Sequence, residues 1–399
     1  MTAWLSVIGI GEDGMAGLSP AARTLIDTAE VLIGGERHLA MIPANGAERQ
    51  HWPSPLVALA DRIPAMRGRR VVVLATGDPM LFGIGATLSR VVPAEEMTVL
   101  PAVSAFALAA ARLAWPLEGI AAINLQGRPV EQLALHVSPG ARLLLLSHDQ
   151  RSPPAVAAWL AAQGFGESRM IALAHMGGPK EDRFEATAVS WAREVPDFHT
   201  LAVECVAGPD ARWLPRAAGL PDDAFEHDGK LTKREFRALA LAKLMPHPGA
   251  LLWDIGAGCG SVGIEWMRAA DRAHAIALEP RADRRATAAR NASALGVSGL
   301  DLRDARAPAG LTELPDPHAI FIGGGHGHDT MRIAVDRLRP GGRLVAHSVT
   351  LGSESRLLAA YSRLGGELAR LNAARAAPLG DFFGWRPLMP VTQWSWRKP

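Results

Sequence analysis

The sequence predicts an α/β protein in which one chain of 399 residues forms two parallel-sheet domains. Three observations lead to this prediction. Apolar, strand-like runs alternate with helical patterns along most of the chain, as in βαβ units. Two of these runs end in glycine loops, "WLSVIGIGEDG" at the start and "LLWDIGAGCG" past residue 250. A stretch rich in proline, glycine and aspartate at 208–228 lies between them and reads as a linker.

The first half supplies the elements of one domain. "WLSVIGI", "RRVVVLATG" and "ARLLLLSHD" are continuous apolar runs, which are typical of buried parallel strands. A helix is predicted after Ser19, because serine suits the N-cap and Pro20 the first helical position. A second Ser-Pro pair at Ser152 predicts another helix start. The alternation predicts parallel α/β structure over 1–210.

The second half repeats the alternation over 229–399, after a linker at 211–228. An amphipathic helix is predicted with Thr232 as its N-cap. The strands and helices that follow are predicted, in order, at "ALLWDIGAG", "SVGIEWMRAA", "AHAIALEP", "RADRRATAARNASALGV", "GLDLRDA", "HAIFIGGG", "HDTMRIAVDRLRPG" and "GGRLVAHSVT". The aromatic tail "DFFGWRPLMPVTQWSWRKP" is expected to close the sheet with antiparallel strands.

Composition excludes several classes of protein. The chain carries 42 basic and 40 acidic residues, a net charge of +2, without a basic tail, so no nucleic-acid partner is predicted. The longest apolar stretch contains a proline and is broken by Arg112, so no membrane partner is predicted either. Two cysteines, Cys205 and Cys259, form no disulfide framework, and no basic signal region opens the chain. A cytoplasmic protein is expected.

The two glycine loops do not fit a dinucleotide site. Gly9, Gly11 and Gly14 match G-x-G-x-x-G, but the nearby acid, Glu30, precedes the second strand instead of ending it. In the second loop, Ser261 stands where a dinucleotide site would have its last glycine. An oxidoreductase function is therefore not predicted.

The second loop instead has the pattern of another cofactor. Asp254 ends a strand, Gly256, Gly258 and Gly260 follow, and Glu279 ends the next strand, where a carboxylate can accept two ribose hydroxyls. With "ALEP", "RDA" and "IFIGGG" in order behind it, this region resembles the class I, Rossmann-like methyltransferases. The resemblance implies an S-adenosylmethionine site.

The first half resembles a different family. "VIGIGEDG", "ATGDPMLFGIG" and "LPAVSAFALAAARLAWP" together are similar to the tetrapyrrole methylases, the class III methyltransferases. That family binds S-adenosylmethionine between two α/β subdomains, here about 1–115 and 120–210. Its usual "GPGD" is "GEDG" in this chain, so Glu12 is not counted as a cofactor residue. The positions that the resemblance implies for the cofactor are Thr76, Gly77, Asp78, Leu81, Ser104 and Ala105.

Together, the two halves resemble the fused, decarboxylating corrin methyltransferases of cobalamin biosynthesis. This resemblance also covers "LTKREFRAL" and implies a second cofactor set: Thr232, Gly256, Ala257, Gly258, Cys259, Gly260, Glu279 and Ala305. It implies that two S-adenosylmethionine molecules methylate a polycarboxylate corrin precursor, at C5 in the first domain and at C15 in the second. The second domain would also decarboxylate the C12 acetate. A homo-oligomer is expected from the same resemblance.

The catalytic residues are not predicted from sequence beyond three weak substrate-side candidates, Gly324, Gly325 and His326. His326 would suit proton delivery, although a solvated loop histidine is the simpler interpretation. No third ligand joins His326 and His328, so no metal is predicted. Arginines in "PRADRRATAAR" and "RDAR" are expected to pair with substrate carboxylates. Trp115, Trp266, Trp394 and Trp396 could stack on a macrocycle, but core packing is the simpler role.

Two alternatives remain open from the sequence. In one, the first domain is another precorrin methylase and the second is an unrelated small-molecule or protein methyltransferase. In the other, the chain is a cofactor-binding scaffold in which one domain has decayed. Cofactor binding by both domains would argue against the second alternative.

Overall fold

The computed structural model describes residues 3–53, 57–325 and 327–399. Contacts divide the chain into two compact units. The first contains Met1–Val130 and Ser138–Arg212, and the second contains Glu131–Val137 and Trp213–Pro399. The α/β class predicted for both halves is confirmed. The domain and linker boundaries given above stay a prediction.

The first unit opens with a five-stranded parallel sheet in the order β3-β2-β4-β1-β5. Its strands are β1 (Leu5–Ile10), β2 (Val31–Gly34), β3 (Glu48–His51), β4 (Val71–Thr76) and β5 (Met97–Leu100). The helices around them are α1 (Pro20–Asp27), α2 (Glu36–Ala40), α3 (Val57–Ala60), α4 (Ile84–Leu88) and α5 (Ala105–Leu113). All six residues of β1 are buried, as its continuous apolar run predicts for a central parallel strand.

The second sheet of this unit departs from the predicted parallel pattern. Its order is β6-β7-β10-β8-β9, and only β6 and β7 run parallel. The elements are β6 (Ile120–Asn124), β7 (Arg142–Leu146), α6 (Ser152–Ala162), β8 (Arg169–Ala174), β9 (Asp182–Thr187) and β10 (His199–Glu204). No helix joins β8 to β9 or β9 to β10, and strands without a crossover helix pair antiparallel. The prediction was wrong here because the alternation stops after α6.

The second unit is built on a seven-stranded sheet in the order β13-β12-β11-β14-β15-β19-β16. The helices are α7 (Arg234–Leu244), α8 (Ser261–Ala269), α9 (Ala282–Ala294), α10 (His328–Arg337) and α11 (Leu351–Leu364). The strands are β11 (Leu251–Ile255), β12 (His274–Leu278), β13 (Asp301–Arg303), β14 (Ala319–Ile322), β15 (Arg343–Ser348), β16 (Glu367–Leu371), β17 (Ala374–Leu379), β18 (Phe382–Pro387) and β19 (Val391–Arg397). The five strands from β13 to β15 run parallel, and β19 pairs antiparallel with β15 and β16. The tail therefore closes the sheet as predicted through β19, whereas β18 forms a separate hairpin with β17.

Helix starts were predicted with mixed success. Ser19 accepts a hydrogen bond from Ala22 N, as predicted for an N-cap, and Ser104, for which no cap was predicted above, accepts one from Ala107 N in the same way. Ser152 is instead the first residue inside α6, where its hydroxyl accepts from two preceding loop amides. Thr232 is not a cap either, because α7 begins after Lys233. Proline and threonine signals located both helices to within two residues but did not identify the cap.

Candidate functional sites

The first unit contains a cavity of about 400 Å³ between its two sheets. All six residues implied by the resemblance line it: Thr76, Gly77, Asp78, Leu81, Ser104 and Ala105. Exposed apolar side chains of Leu81, Phe82 and Val103 form part of the wall. The structure thus brings the Gly-Asp-Pro loop after β4 and the start of α5 to one concave surface.

Two glycines allow this close approach of loops. A Cβ on Gly9 would lie 1.9 Å from the carbonyl oxygen of Gly77 and 2.4 Å from Ala102 N. Gly77 itself has a φ of +58°, and a Cβ there would lie 3.1 Å from the carbonyl oxygen of Val103. Side chains at these positions would push the three loops apart, so the cavity wall requires glycine.

Asp78 and Ser104 are held by local hydrogen bonds. The Oδ1 atom of Asp78 accepts a hydrogen bond of 2.9 Å from Met80 N, which closes its own turn. The Oγ atom of Ser104 accepts one of 3.1 Å from Ala107 N at the start of α5. Asp78 still lines the cavity, with lone pairs left for a ligand cation or hydroxyl.

The second unit contains a larger cavity of about 1220 Å³. Eight predicted residues line it: Thr232, Gly256, Ala257, Gly258, Glu279, Ala305, Gly324 and Gly325. They come from the loops after β11, β12, β13 and β14 and from the segment before α7. The carboxyl ends of parallel strands are where open α/β sheets bind ligands.

Backbone geometry in the second glycine loop excludes larger residues. Gly256 has a φ of +76°, and a Cβ on it would lie 2.9 Å from Gly324 N. Gly258 also has a positive φ, and its amide donates a hydrogen bond of 2.9 Å to Oε2 of Glu279. The other carboxylate oxygen of Glu279 accepts a hydrogen bond of 3.0 Å from Arg281 N. Glu279 therefore fixes the two loops that form the cavity floor.

Three residues of the predicted pattern in the second glycine loop do not line the cavity. Cys259 and Gly260 are not among the residues that line the cavity; Cys259 packs in the core behind the loop. Burial raises the pKa of the Cys259 thiol, which makes it unreactive. Asp254 is 1% exposed, and its Oδ2 accepts a 2.9 Å hydrogen bond from Gly263 N. Burial raises the pKa of Asp254 to about 7.

Comparisons with known proteins match the two halves of the chain to different family models. The model of "Tetrapyrrole (Corrin/Porphyrin) Methylases" matches residues 5–190, and that of "Precorrin methyltransferase domain" matches residues 223–398. A Sinorhizobium precorrin-6Y C(5,15)-methyltransferase [decarboxylating] is 48% identical over 99% of this chain and 96% of its own. The chain belongs to this family.

Two shorter proteins each resemble part of the chain. A cobalt-precorrin-7 C(5)-methyltransferase of Salmonella typhimurium is 35% identical over 42% of this chain and 82% of its own. A probable cobalt-precorrin-6B C(15)-methyltransferase (decarboxylating) of Pyrobaculum calidifontis is 34% identical over 45% of this chain and 95% of its own. Similarity to relatives of both kinds is what a fused methyltransferase of this family would have.

In this precorrin methyltransferase, the first cavity has an ionic cluster that was not predicted from the sequence. Glu12 forms an ion pair with Arg37, and its Oε2 lies 2.9 Å from Nδ1 of His175. Arg37 and His38 both contact the hydroxyl of Thr76, at 3.0 and 2.9 Å. Glu12 was set aside because it departs from the usual first loop. The pair "RH" after β2 and the histidine directly after β8 were the available signals.

Burial and neighbouring charges shift the pKa values of two side chains in this cluster. Burial raises the pKa of Glu12, but the hydrogen bond with His175 and the neighbouring Arg37 outweigh it and lower that pKa overall. Burial, helped by Arg37, lowers the pKa of His38 to about 4. At neutral pH, Glu12 is therefore an anion and His38 is a neutral imidazole.

The second cavity has a cationic rim. Arg281, Arg284 and Arg306, from the two arginine-rich stretches, line it. Arg281 and Arg284 are paired with Asp283 and Asp228. Four lining cations have no ion-pair partner among the described residues: Lys230, Lys233, Arg306 and Arg356. These four are free to meet carboxylates.

The histidine and tryptophan candidates predicted from the sequence are not brought together in one site among the described residues. His326 lies outside the described residues, and His328 is at the exposed start of α10. Trp115, Trp266 and Trp394 are buried in the cores, as their simpler interpretation predicts. Among the described residues no group of three His, Cys, Asp or Glu side chains is placed to hold a metal, and no helix is both long and apolar enough to cross a membrane.

Proposed function

We propose that this chain binds two molecules of S-adenosylmethionine and methylates one corrin precursor twice, at C5 and C15, with decarboxylation of the C12 acetate to give precorrin-8. One observation carries the proposal: each unit of this methyltransferase has its own glycine-walled cavity, lined by the residues that its family resemblance implies. A decayed domain would have lost one of these cavities, so a scaffold function is disfavoured.

The residues present fit S-adenosylmethionine in both cavities. In the second, glycine at 256 and 258 leaves room for a ligand against the backbone, and Glu279 offers carboxylate lone pairs to ribose hydroxyls. In the first, Gly77 leaves similar room, while Asp78 and Thr76 offer polar groups. The bound cofactor supplies an electrophilic methyl group on sulfonium.

We assign C5 methylation to the first unit, and C15 methylation with decarboxylation to the second. The two half-length relatives support this division, since one is named for C(5) and the other for C(15) with decarboxylation. The separate family models for residues 5–190 and 223–398 support it as well.

Placement is the main contribution of the protein to both methylations. An electron-rich ring carbon attacks a sulfonium methyl without a protein nucleophile, so holding the two at about 3–3.5 Å supplies most of the rate. In the second cavity we propose that four cations bind substrate carboxylates: Lys230, Lys233, Arg306 and Arg356. Their charges would hold the macrocycle in a fixed orientation in this cavity.

Calorimetric titration of the full chain with S-adenosylhomocysteine tests the two-site proposal. We expect two sites per chain. Asp78→Ala should remove the first and leave the second, and Glu279→Ala should do the reverse. A single site in the unaltered chain, or loss of both sites in each variant, would contradict the proposal.

We also propose that the chain is a cytoplasmic homo-oligomer. Both cysteines are free and buried, which supports a reducing compartment. The hairpin of β17 and β18 supports self-association, because it exposes Leu379, Phe382, Phe383 and Trp385, each at least 70% accessible. Light scattering of the purified chain measures its mass in solution.

A further inference from the structure

The geometry points to His175 as the proton acceptor for the ring carbon that the first unit methylates, with Glu12 as its positioning residue. This inference rests on the proposed C5 methylation by that unit. Both residues line the first cavity, and neither has a role in the cofactor set implied by the resemblance.

The first observation is the orientation of the imidazole ring. Nδ1 of His175 lies 2.9 Å from Oε2 of Glu12, a carboxylate that is largely buried and also paired with Arg37. A carboxylate at Nδ1 fixes the proton on that nitrogen and leaves Nε2 with its lone pair. Nε2 has no hydrogen-bond partner among the described residues. The arrangement is that of a histidine base oriented by a third group.

The second observation is backbone strain at the same residue. His175 has a φ of +47°, one of five non-glycine residues with a positive φ in the described part of the chain. Such a conformation is strained and persists where the surroundings impose it, often at functional sites. Here the surroundings are the Phe198 ring, with its centroid 5.7 Å from that of the imidazole, and Gly178, whose Cβ would collide with Glu12.

No other ionisable side chain in the described wall of the cavity has this arrangement. Apart from His175, the titratable groups lining the cavity are Glu12, His38, Asp78, His148, Asp197 and His199. His38 is bonded at Nε2 to Arg37 and Thr76, and Asp78 closes its own turn. His199 bonds Pro196 O through Nδ1 and is buried. His148 has no side-chain carboxylate bond to orient it among the described residues.

Atoms and electrons balance in the proposed step. The π pair of the ring carbon forms the new C–C bond while the S–CH₃ bond breaks and its pair stays on sulfur. Where that carbon bears a hydrogen, the cation left on the macrocycle loses it as a proton to Nε2 of His175. The C–H pair then restores conjugation. The products are a methylated ring, a neutral thioether and an imidazolium paired with Glu12, which later releases the proton to water.

The test compares His175→Gln and Glu12→Gln with a control variant, His51→Gln. His51 is exposed on β3 and lies outside the cavity. Product mass and labelled methyl groups count the two transfers separately. We expect His175→Gln to keep one methylation with decarboxylation and slow the other about 100-fold, the usual size of a general-base contribution. Binding of S-adenosylhomocysteine should be unchanged, and added imidazole should restore part of the rate in His175→Ala.

Glu12→Gln separates positioning from simple folding. It keeps the imidazole but removes the anion, so the affected methylation should slow while binding of S-adenosylhomocysteine stays unchanged. In ¹⁵N spectra the His175 ring should lose its preference for a proton on Nδ1. His51→Gln should behave as the unaltered chain.

The outcomes distinguish the two proposals. If Asp78→Ala leaves both methylations intact, the assignment of a reaction to this unit fails. If Asp78→Ala removes one methylation while His175→Gln retains both at the normal rate and pH profile, the inference about His175 fails. A His175→Gln defect confined to cofactor binding or to KM, without imidazole rescue, would make the cluster a structural ion pair and overturn the inference as well.

Discussion

At the scale of single residues, Glu279 connects two loops that line the second cavity. Its two oxygens each accept a backbone amide from a different loop, and the side chain is buried. Replacing it with glutamine leaves one amide facing an NH₂ group, and an unsatisfied buried donor costs about 1–3 kcal/mol. We expect Glu279→Gln to weaken S-adenosylhomocysteine binding at one site about 10- to 100-fold. Asp336→Asn, on the exposed face of α10, is the matched control and should leave both sites unchanged.

The buried carboxyl group of Asp254 should make the stability of the second unit depend on pH. Its folded-state pKa is raised to about 7, above the ordinary value, so the folded chain holds a proton that the unfolded chain releases. Stability from this group is present at low pH and is lost as pH rises toward and through 7. We expect the second unit to lose on the order of 2 kcal/mol between pH 5 and 8. Hydrogen exchange of the β11 amides measures the loss.

Asparagine at this position removes the titration. In Asp254→Asn, the exchange rates of the β11 amides should change with pH only as much as those of amides in an unfolded peptide. If the exchange rates of the β11 amides depended on pH equally in both proteins, Asp254 would be ionised in the folded chain throughout this range. That result would contradict the prediction.

Residues defined by backbone geometry were the most predictable from the sequence. Gly256 and Gly258 could be selected because a glycine in a loop directly after a buried strand is typical of a turn with positive φ, whereas Gly77 was selected through the family resemblance. Glu12 and His175 could not, because 163 positions separate them and no local pattern marks such a pair. Cys259 was included because it sits inside a motif, although it does not line the cavity.

At the scale of elements, the Gly-Asp-Pro loop after β4 forms part of the wall of the first cavity. Gly77→Ala adds a Cβ 3.1 Å from the carbonyl oxygen of Val103 and imposes a positive φ on alanine. The first effect moves the loop, and the second costs about 1–2 kcal/mol. We expect binding of S-adenosylhomocysteine to weaken at one of the two sites only. Calorimetry resolves the two.

Gly140→Ala provides the control for strain alone. Gly140 also has a positive φ, but its added Cβ would have no neighbour within 4 Å. It should lower stability by a similar amount without changing binding at either site. Equal binding losses in both variants would contradict a local role for Gly77.

Element types were predictable where the chain alternates and failed where it does not. The parallel sheets of β1–β5 and β11–β15 follow from apolar runs separated by helical patterns. In the mixed sheet of β6–β10, β8 and β10 are as continuously buried as parallel strands, so they gave no local sign of their antiparallel pairing. Strand direction depends on the connections, and the residues between β8 and β10 have no helical period to indicate a crossover.

At the scale of the whole molecule, the hairpin of β17 and β18 is the clearest described surface without a partner. Phe382, Phe383 and Trp385 are each about three-quarters exposed or more. Several exposed aromatic side chains on one hairpin are typical of an interaction site in a folded protein. Because closed symmetric assemblies bury the same patch from each copy, a hairpin that lies outside the main sheet is suited to pairing with its copy in another chain.

The double variant Phe382→Ser/Phe383→Ser tests this role. Light scattering should show the unaltered chain at a multiple of 42.4 kDa and the variant at a lower multiple. Both S-adenosylhomocysteine sites should persist, because neither residue lines a cavity. Leu351→Ser, which removes an equally exposed apolar side chain outside the hairpin, at the start of α11, should leave the mass unchanged. An unaltered chain at 42.4 kDa would exclude the homo-oligomer, and an unchanged mass in the double variant would place its interface on another surface.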